Sequence, residues 1–249
     1  MADGVGKGGG GRRGDVDAGA LWVYAVAAYL FAPLLWEFYL ARRPSLRDLP
    51  GVTHTRAGIP GDPLNVALVG TEQELQNAMR AANWVRARPL GWRSDSKLAE
   101  STLLRRADPD APVSRLYLFG RPEDLAFEQP VGPDPRQRHH VRFWRTDRLA
   151  DDDRPIWIGS ATFDRAVGLS HTTGQITHHI DGDVDAERDH LLAALQQTGL
   201  LARSEVEPGF HQTLSGRNGG GDRWHTDGDL RIGVIAAGAQ AVAQPQRNR

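Results

Sequence analysis

At 249 residues the chain has room for one sizeable domain with appendages, or for two small domains. Its 30 basic and 31 acidic residues leave a net charge of −1, which excludes a bulk electrostatic pull toward nucleic acid. It contains no cysteine, which excludes disulfides, thiol catalysis and cysteine-ligated zinc or iron–sulfur centres.

Residues 1–17 form a Gly-rich polar leader with nothing to bury, and are expected to be disordered. From Ala18 to Trp36 no charge occurs, and after Glu37 the apolar run resumes to Ala41 before stopping at Arg42-Arg43. About 20 apolar residues cross a bilayer core as a helix. Trp22, Tyr24, Trp36 and Tyr39 lie toward the two ends, where amphipathic rings favour the interface. These features predict a single transmembrane helix over 18–41, with a buried core helix as the plainer alternative. Lys7, Arg12 and Arg13 on one flank balance Arg42, Arg43 and Arg47 on the other, so charge does not orient it.

Residues 42–63 hold four prolines and read as a linker. Leu64–Val69 follows as a short buried strand. Thr71 and Glu74 have capping-box spacing, opening a helix over Glu72–Ala82 with Leu75, Ala78, Met79 and Ala82 on one stripe. A second helix is expected over Ser96–Arg106. Strands are expected over Arg115–Phe119, Asp124–Gln129, Arg138–Arg145, Ile156–Phe163 and Ile176–Ile180. A helix over 184–198 then puts Leu191, Leu192 and Leu195 inward and ends at Gly199. Leu200–Val206, Phe210–Leu214 and Asp229–Ile235 complete the strand set, with 215–222 as a flexible turn. The division is thus leader 1–17, membrane helix 18–41, linker 42–63, domain 64–206, C-terminal hairpin 207–235 and disordered tail 236–249. The fold class is α+β, a largely antiparallel sheet with two or three packed helices.

Candidate chemistry concentrates in the run from Arg136 to His190, which carries His139, His140, His171, His178, His179 and His190. Side chains on a strand alternate between faces. His139 therefore shares a face with Val141 and Phe143, while His140 lies opposite with Arg142 and Trp144. His178 and His179 split in the same way, so each adjacent pair gives at most one histidine to any surface.

His171, His178 and His179 have the ligand types for a divalent metal, and His171 with Asp164 could serve in acid–base catalysis. The spacing matches no named metal motif. Arg138, His140 and Arg142 form a third possibility, an anion-binding face for phosphate or carboxylate, whose plainer reading is a solvated sheet surface. Asp181, Asp183 and Asp185 resemble the start of a calcium loop, but Ala186 and Leu192 stand where the loop needs glycine and glutamate.

Several longer motifs resemble the LssY-type C-terminal domain family. They are Gly58-Ile-Pro-Gly-Asp-Pro-Leu-Asn-Val66, Leu118-Phe-Gly-Arg121 with Asp124–Gly132, Arg138-His-His-Val-Arg-Phe-Trp144, Ser160–Ile180 and Asp185–Asp189. The resemblance implies membrane association and a domain outside the cytoplasm. It hints at envelope lipids and brings no assigned catalytic residues. Two functions follow as expectations. One is a membrane-anchored hydrolase of a lipid or phosphate ester using His171 and Asp164. The other is a non-catalytic module that binds an anionic lipid or a protein partner.

Overall fold

The computed structural model describes residues 18–35, 45–87, 115–132, 137–171 and 176–239. Two compact units are separable, Met1–Ser45 and Leu46–Arg249. In the first, helix α1 (Ala18–Val26) continues through a π-helical stretch, Ala27–Phe31, to residue 35. No helix among the described residues is long and apolar enough to cross a membrane. Part of the expected span, 36–41, lies outside them, as does the expected helix over Ser96–Arg106.

In chain order the second unit presents β1 (Val52–His54), β2 (Pro60–Pro63), β3 (Val66–Val69), α2 (Glu72–Ala81), β4 (Val85–Arg86), β5 (Tyr117–Leu118) and β6 (Arg121–Pro122). It continues with β7 (Leu125–Pro130), β8 (Arg138–Leu149), β9 (Pro155–Leu169), β10 (Ile176–Ile180), α3 (Val184–Gln197) and β11 (Leu201–Glu207). The last elements are β12 (Ser215–Arg217), β13 (Arg223–His225) and β14 (Leu230–Ile235). The class is α+β, as the alternating and helical periodicities predicted.

The main sheet has the order β11-β14-β3-β9-β8-β7-β4, with β10 also paired to β9. All its pairs are antiparallel except β14 with β3. Strand β9 is 15 residues long and changes neighbour along its length. Ile156–Gly159 pair with β3, and Asp164–Leu169 pair with β10. Between those stretches neither strand reaches Ala161. The side chain of the fully buried Asn65 fills the seam, accepting from Ala161 N–H at 2.9 Å and donating to the Ala161 and Val184 carbonyls. A buried backbone amide left open there would cost about 1–3 kcal/mol.

One sheet face is covered by the helices. The capping box closes α2, with Thr71 Oγ1 accepting from Glu74 N–H and Glu74 accepting from Thr71 N–H. Leu75, Ala78 and Met79 on α2 and Leu191, Leu192 and Leu195 on α3 pack onto Leu68, Val141, Phe143 and Trp157. The opposite face carries a second apolar cluster around Trp144, Ile158 and Leu64.

Four stretches differ from expectation. The proposed linker is part of the domain. Its β1 and β2 pair with each other, and Thr53 and Asp62 are buried, with Thr53 Oγ1 donating to the Asp62 carbonyl. Proline suits such short edge strands because it removes a donor that an edge does not need. Phe210–Leu214 is not a strand; His211 is buried there and hydrogen-bonds the Leu64 carbonyl. The expected C-terminal hairpin holds the β12–β13 hairpin, whereas β14 sits inside the main sheet between β11 and β3. The first tail residues are also in the fold, Ala239 being buried and its carbonyl accepting from Asn77.

Candidate functional site

Alternation along β8, β9 and β10 sorts the polar run into three places. His139 faces the helices. It lies 2.7 Å from Glu187 and stacks on His190 at 3.8 Å between ring centroids, with Trp84 beside both. Burial pushes Glu187 upward, opposed by His139, and pushes His190 down.

Arg138, His140 and Arg142 face the other way, against Asp164, Thr162 and Ser160 of β9. This surface is not solvated. All six are buried, because β2 and the 218–220 loop lie over part of it. Arg138 donates from Nε to Asp164 at 3.1 Å and from Nη1 to Glu128 at 2.8 Å. Its Nη2 lies 3.1 Å from His178 Nε2. A guanidinium only donates, so His178 Nε2 must accept and its proton sits on Nδ1, which lies 3.3 Å from Asp164. Arg142 donates to Asp62 at 3.1 Å, and Asn218 donates to the other Asp62 oxygen at 3.0 Å. Burial raises the Asp62 carboxyl, partly offset by Arg142. Burial also holds His140 neutral, well below its ordinary value, and Arg142, Arg138 and His178 push it the same way. His140 Nε2, Ser160 Oγ and Thr162 Oγ1 are buried with no hydrogen-bond partner among the described residues.

In front of this layer is a cleft of about 400 Å³. Arg142, Asp62, Asp164 and His178 line it together with apolar Ile59, Leu116 and Ile180, and the exposed Arg56 and Arg115 also contribute. Gly61 in β2 is required for the close packing here, since a Cβ would fall 2.5 Å from Thr53 Oγ1 and 2.8 Å from Leu116.

His179 and His171 belong to a different surface. His179 Nδ1 lies 2.9 and 3.1 Å from the two oxygens of buried Asp222, and the ring centroids of the two histidines are 5.4 Å apart. The loop 218–222 separates the two places. Its Gly219 and Gly220 line the cleft, and its Gly221 and Asp222 line an open groove with His171.

The sequence-derived candidates are therefore divided. Asp164 and His178 meet in the cleft, and His171, which lines the groove, meets His179 beside it. His178 and His179 point to opposite sides of β10 and cannot join His171 around one ion. Among the described residues no group of three or more His, Asp or Glu is arranged to hold a metal. Sequence reasoning missed Asp62, Glu128, Asn218 and Asp222. Asn218 could have been found: an Asn within a glycine-rich turn often bonds its own backbone and fixes it. Asn218 Oδ1 does this, accepting from Gly220 and Asp222 N–H.

The family profile for the LssY C-terminus matches residues 46–230. The chain belongs to that family, as its motifs predicted, and the match begins where β1 and β2 enter the fold. No curated protein matches the chain, and no solved structure matches it.

Proposed function

We propose that this member of the LssY C-terminal family is a binding module whose cleft takes an amphiphilic anion, such as a phosphorylated lipid headgroup with the start of its chain. One observation carries the reading. Arg142 is held buried by Asp62 at the floor of a cleft whose walls are apolar and whose remaining charged lining includes Arg56 and Arg115. A cleft of about 400 Å³ with apolar walls and a few convergent polar groups fits a small ligand, and guanidinium groups suit phosphate or carboxylate.

Binding is favoured over hydrolysis by the state of the bases. Arg138 caps His178 Nε2 and also engages Asp164, so the dyad in the cleft offers no open lone pair on that nitrogen for proton abstraction. Asp164 and His171, the pair first considered for catalysis, line different cavities. The test is calorimetric titration of the full-length chain with a water-soluble short-chain phosphatidic acid. Arg142→Gln is expected to weaken binding by about tenfold or more, since a charge-assisted contact is lost. Unchanged affinity in that variant would refute the cleft as the site.

The 18–41 segment is proposed as a membrane tether, with the domain outside the cytoplasm. Its support is the exposure of apolar side chains along α1 and beyond, including Trp22 at 73%, Tyr29 at 79% and Leu35 at 65%. Such a surface favours a non-aqueous neighbour. Recovery of the full chain in the soluble fraction without detergent would remove the tether, and protease protection of the domain in intact cells' outer compartment would reverse the side.

A further inference from the structure

We infer that the groove beside His171 and His179 is a second site, for the phosphate group of an ester, independent of the cleft. It is an open depression of about 520 Å³ whose lining includes Arg165, Arg217, Arg223, His171, Gly221 and Asp222. Three guanidiniums there face one carboxylate, a larger positive excess than in the cleft, where Arg56, Arg115 and Arg142 face Asp62 and Asp164. Among the described residues Arg223 has no ion-pair partner and the Arg217 guanidinium donates only to the Gly221 carbonyl. Arg165 is 3.8 Å from Asp222, which is already engaged by His179.

Asp222 sets what His179 can do. The carboxylate is buried, and it accepts from the His179 ring and from Ile180 N–H at 3.2 Å. An ionised carboxylate only accepts, so Nδ1 carries a ring proton and Nε2 is the ring nitrogen turned away from Asp222. Glycines keep the ring surroundings open. A Cβ at Gly168 would come within 2.9 Å of His179 Nε2, and one at Gly221, whose φ is +90°, would come within 2.8 Å of His171 Cβ. The groove thus gathers three guanidiniums and His171 as donors for phosphate oxygens, with His179 behind His171. Asp222 is the positioning residue for the His179 ring, against which His171 rests.

The experiment uses the full-length chain and two probes, inorganic phosphate and a short-chain phosphatidic acid, read by calorimetry and by ¹⁵N shifts of the histidine rings. Phosphate is expected to move the His171 and His179 signals, and the double variant R217Q/R223Q to weaken binding by about tenfold or more. His179→Gln should abolish the ring signal and reduce affinity, while Arg142→Gln leaves groove binding within about twofold. Groove-dependent binding of inorganic phosphate alone assigns a soluble ester, and of the lipid alone assigns a headgroup read with its glycerol. No binding of either probe overturns the site. Binding that fails only in Arg142→Gln overturns it while leaving the cleft reading intact.

Discussion

The cleft and the groove lie on either side of β9 and β10, where neighbouring residues point apart. Asp164 and His178 turn into the cleft, and Arg165 and His179 turn toward the groove. In the cleft the charges are buried and mutually paired, with Arg138 against Asp164 and Glu128 and Arg142 against Asp62. In the groove the cations are exposed and outnumber their partner. Buried paired charges are costly to disturb because a remaining partner is stranded in low dielectric. Exposed ones contribute little to stability and are available to a ligand. One strand alternation therefore separates a rigid floor from an adaptable rim.

Breaking the buried side should have the largest consequence. Arg138→Met strands Asp164, whose side chain is 2% exposed, and is expected to cost about 3–5 kcal/mol in urea unfolding. Arg223→Gln in the groove should stay within about 0.5 kcal/mol. Equal losses from the two would erase the distinction.

Packing sharpens it next. Gly61→Ala drives a methyl group against Thr53 and Leu116 in the cleft wall and should cost about 1–3 kcal/mol. Gly168→Ala meets only the end of the His179 ring, which can give, and should cost under about 1 kcal/mol.

The buried face should also respond to acid. His140 lies below its ordinary value of 6.5 in the folded state, so the unfolded chain binds the proton first as pH falls. The stability it contributes is complete above about 6.5 and is lost as pH drops toward the folded value, with a slope of up to about 1.4 kcal/mol per pH unit. His190 and His211, also lowered by burial, act in the same direction. Asp62 and Glu187, raised by burial, act oppositely, their contributions fading as pH rises through their folded values. Denaturation at pH 7 and pH 5 should show a shallower acid loss in His140→Gln than in the parent, and parallel slopes would contradict it. The smallest expected effect is ionic. Raising salt should weaken phosphate at the exposed groove more than the amphiphile in the buried cleft, since screening acts mainly on exposed charge.

Much of this was legible in the chain before any coordinates. The capping box at Thr71 and the leucine stripe at 191, 192 and 195 are local signals, and they marked α2 and α3 to within a residue or so. Strand alternation separated His178 from His179, because that rule needs no knowledge of neighbours. What stayed hidden depended on distant partners. Asp62 looked like part of a proline-rich connector, and only the approach of Arg142, 80 residues later, gives it a role. The surface of Arg138, His140 and Arg142 looked solvated because the cover comes from β2 and from the turn at 218–220. Asp222 was invisible for the same reason, since its histidine lies 43 residues away.

The place of β14 has a consequence for how the domain is made. This strand is the last among the described residues, yet it lies inside the sheet, parallel to β3 and antiparallel to β11. Until residue 235 has left the ribosome tunnel, β3 has an open edge and Leu68 and Ile235 cannot meet in one core. The order of synthesis is thus opposed to the order of assembly, and a chain stalled or cut shortly before β14 exposes a strand edge to its neighbours.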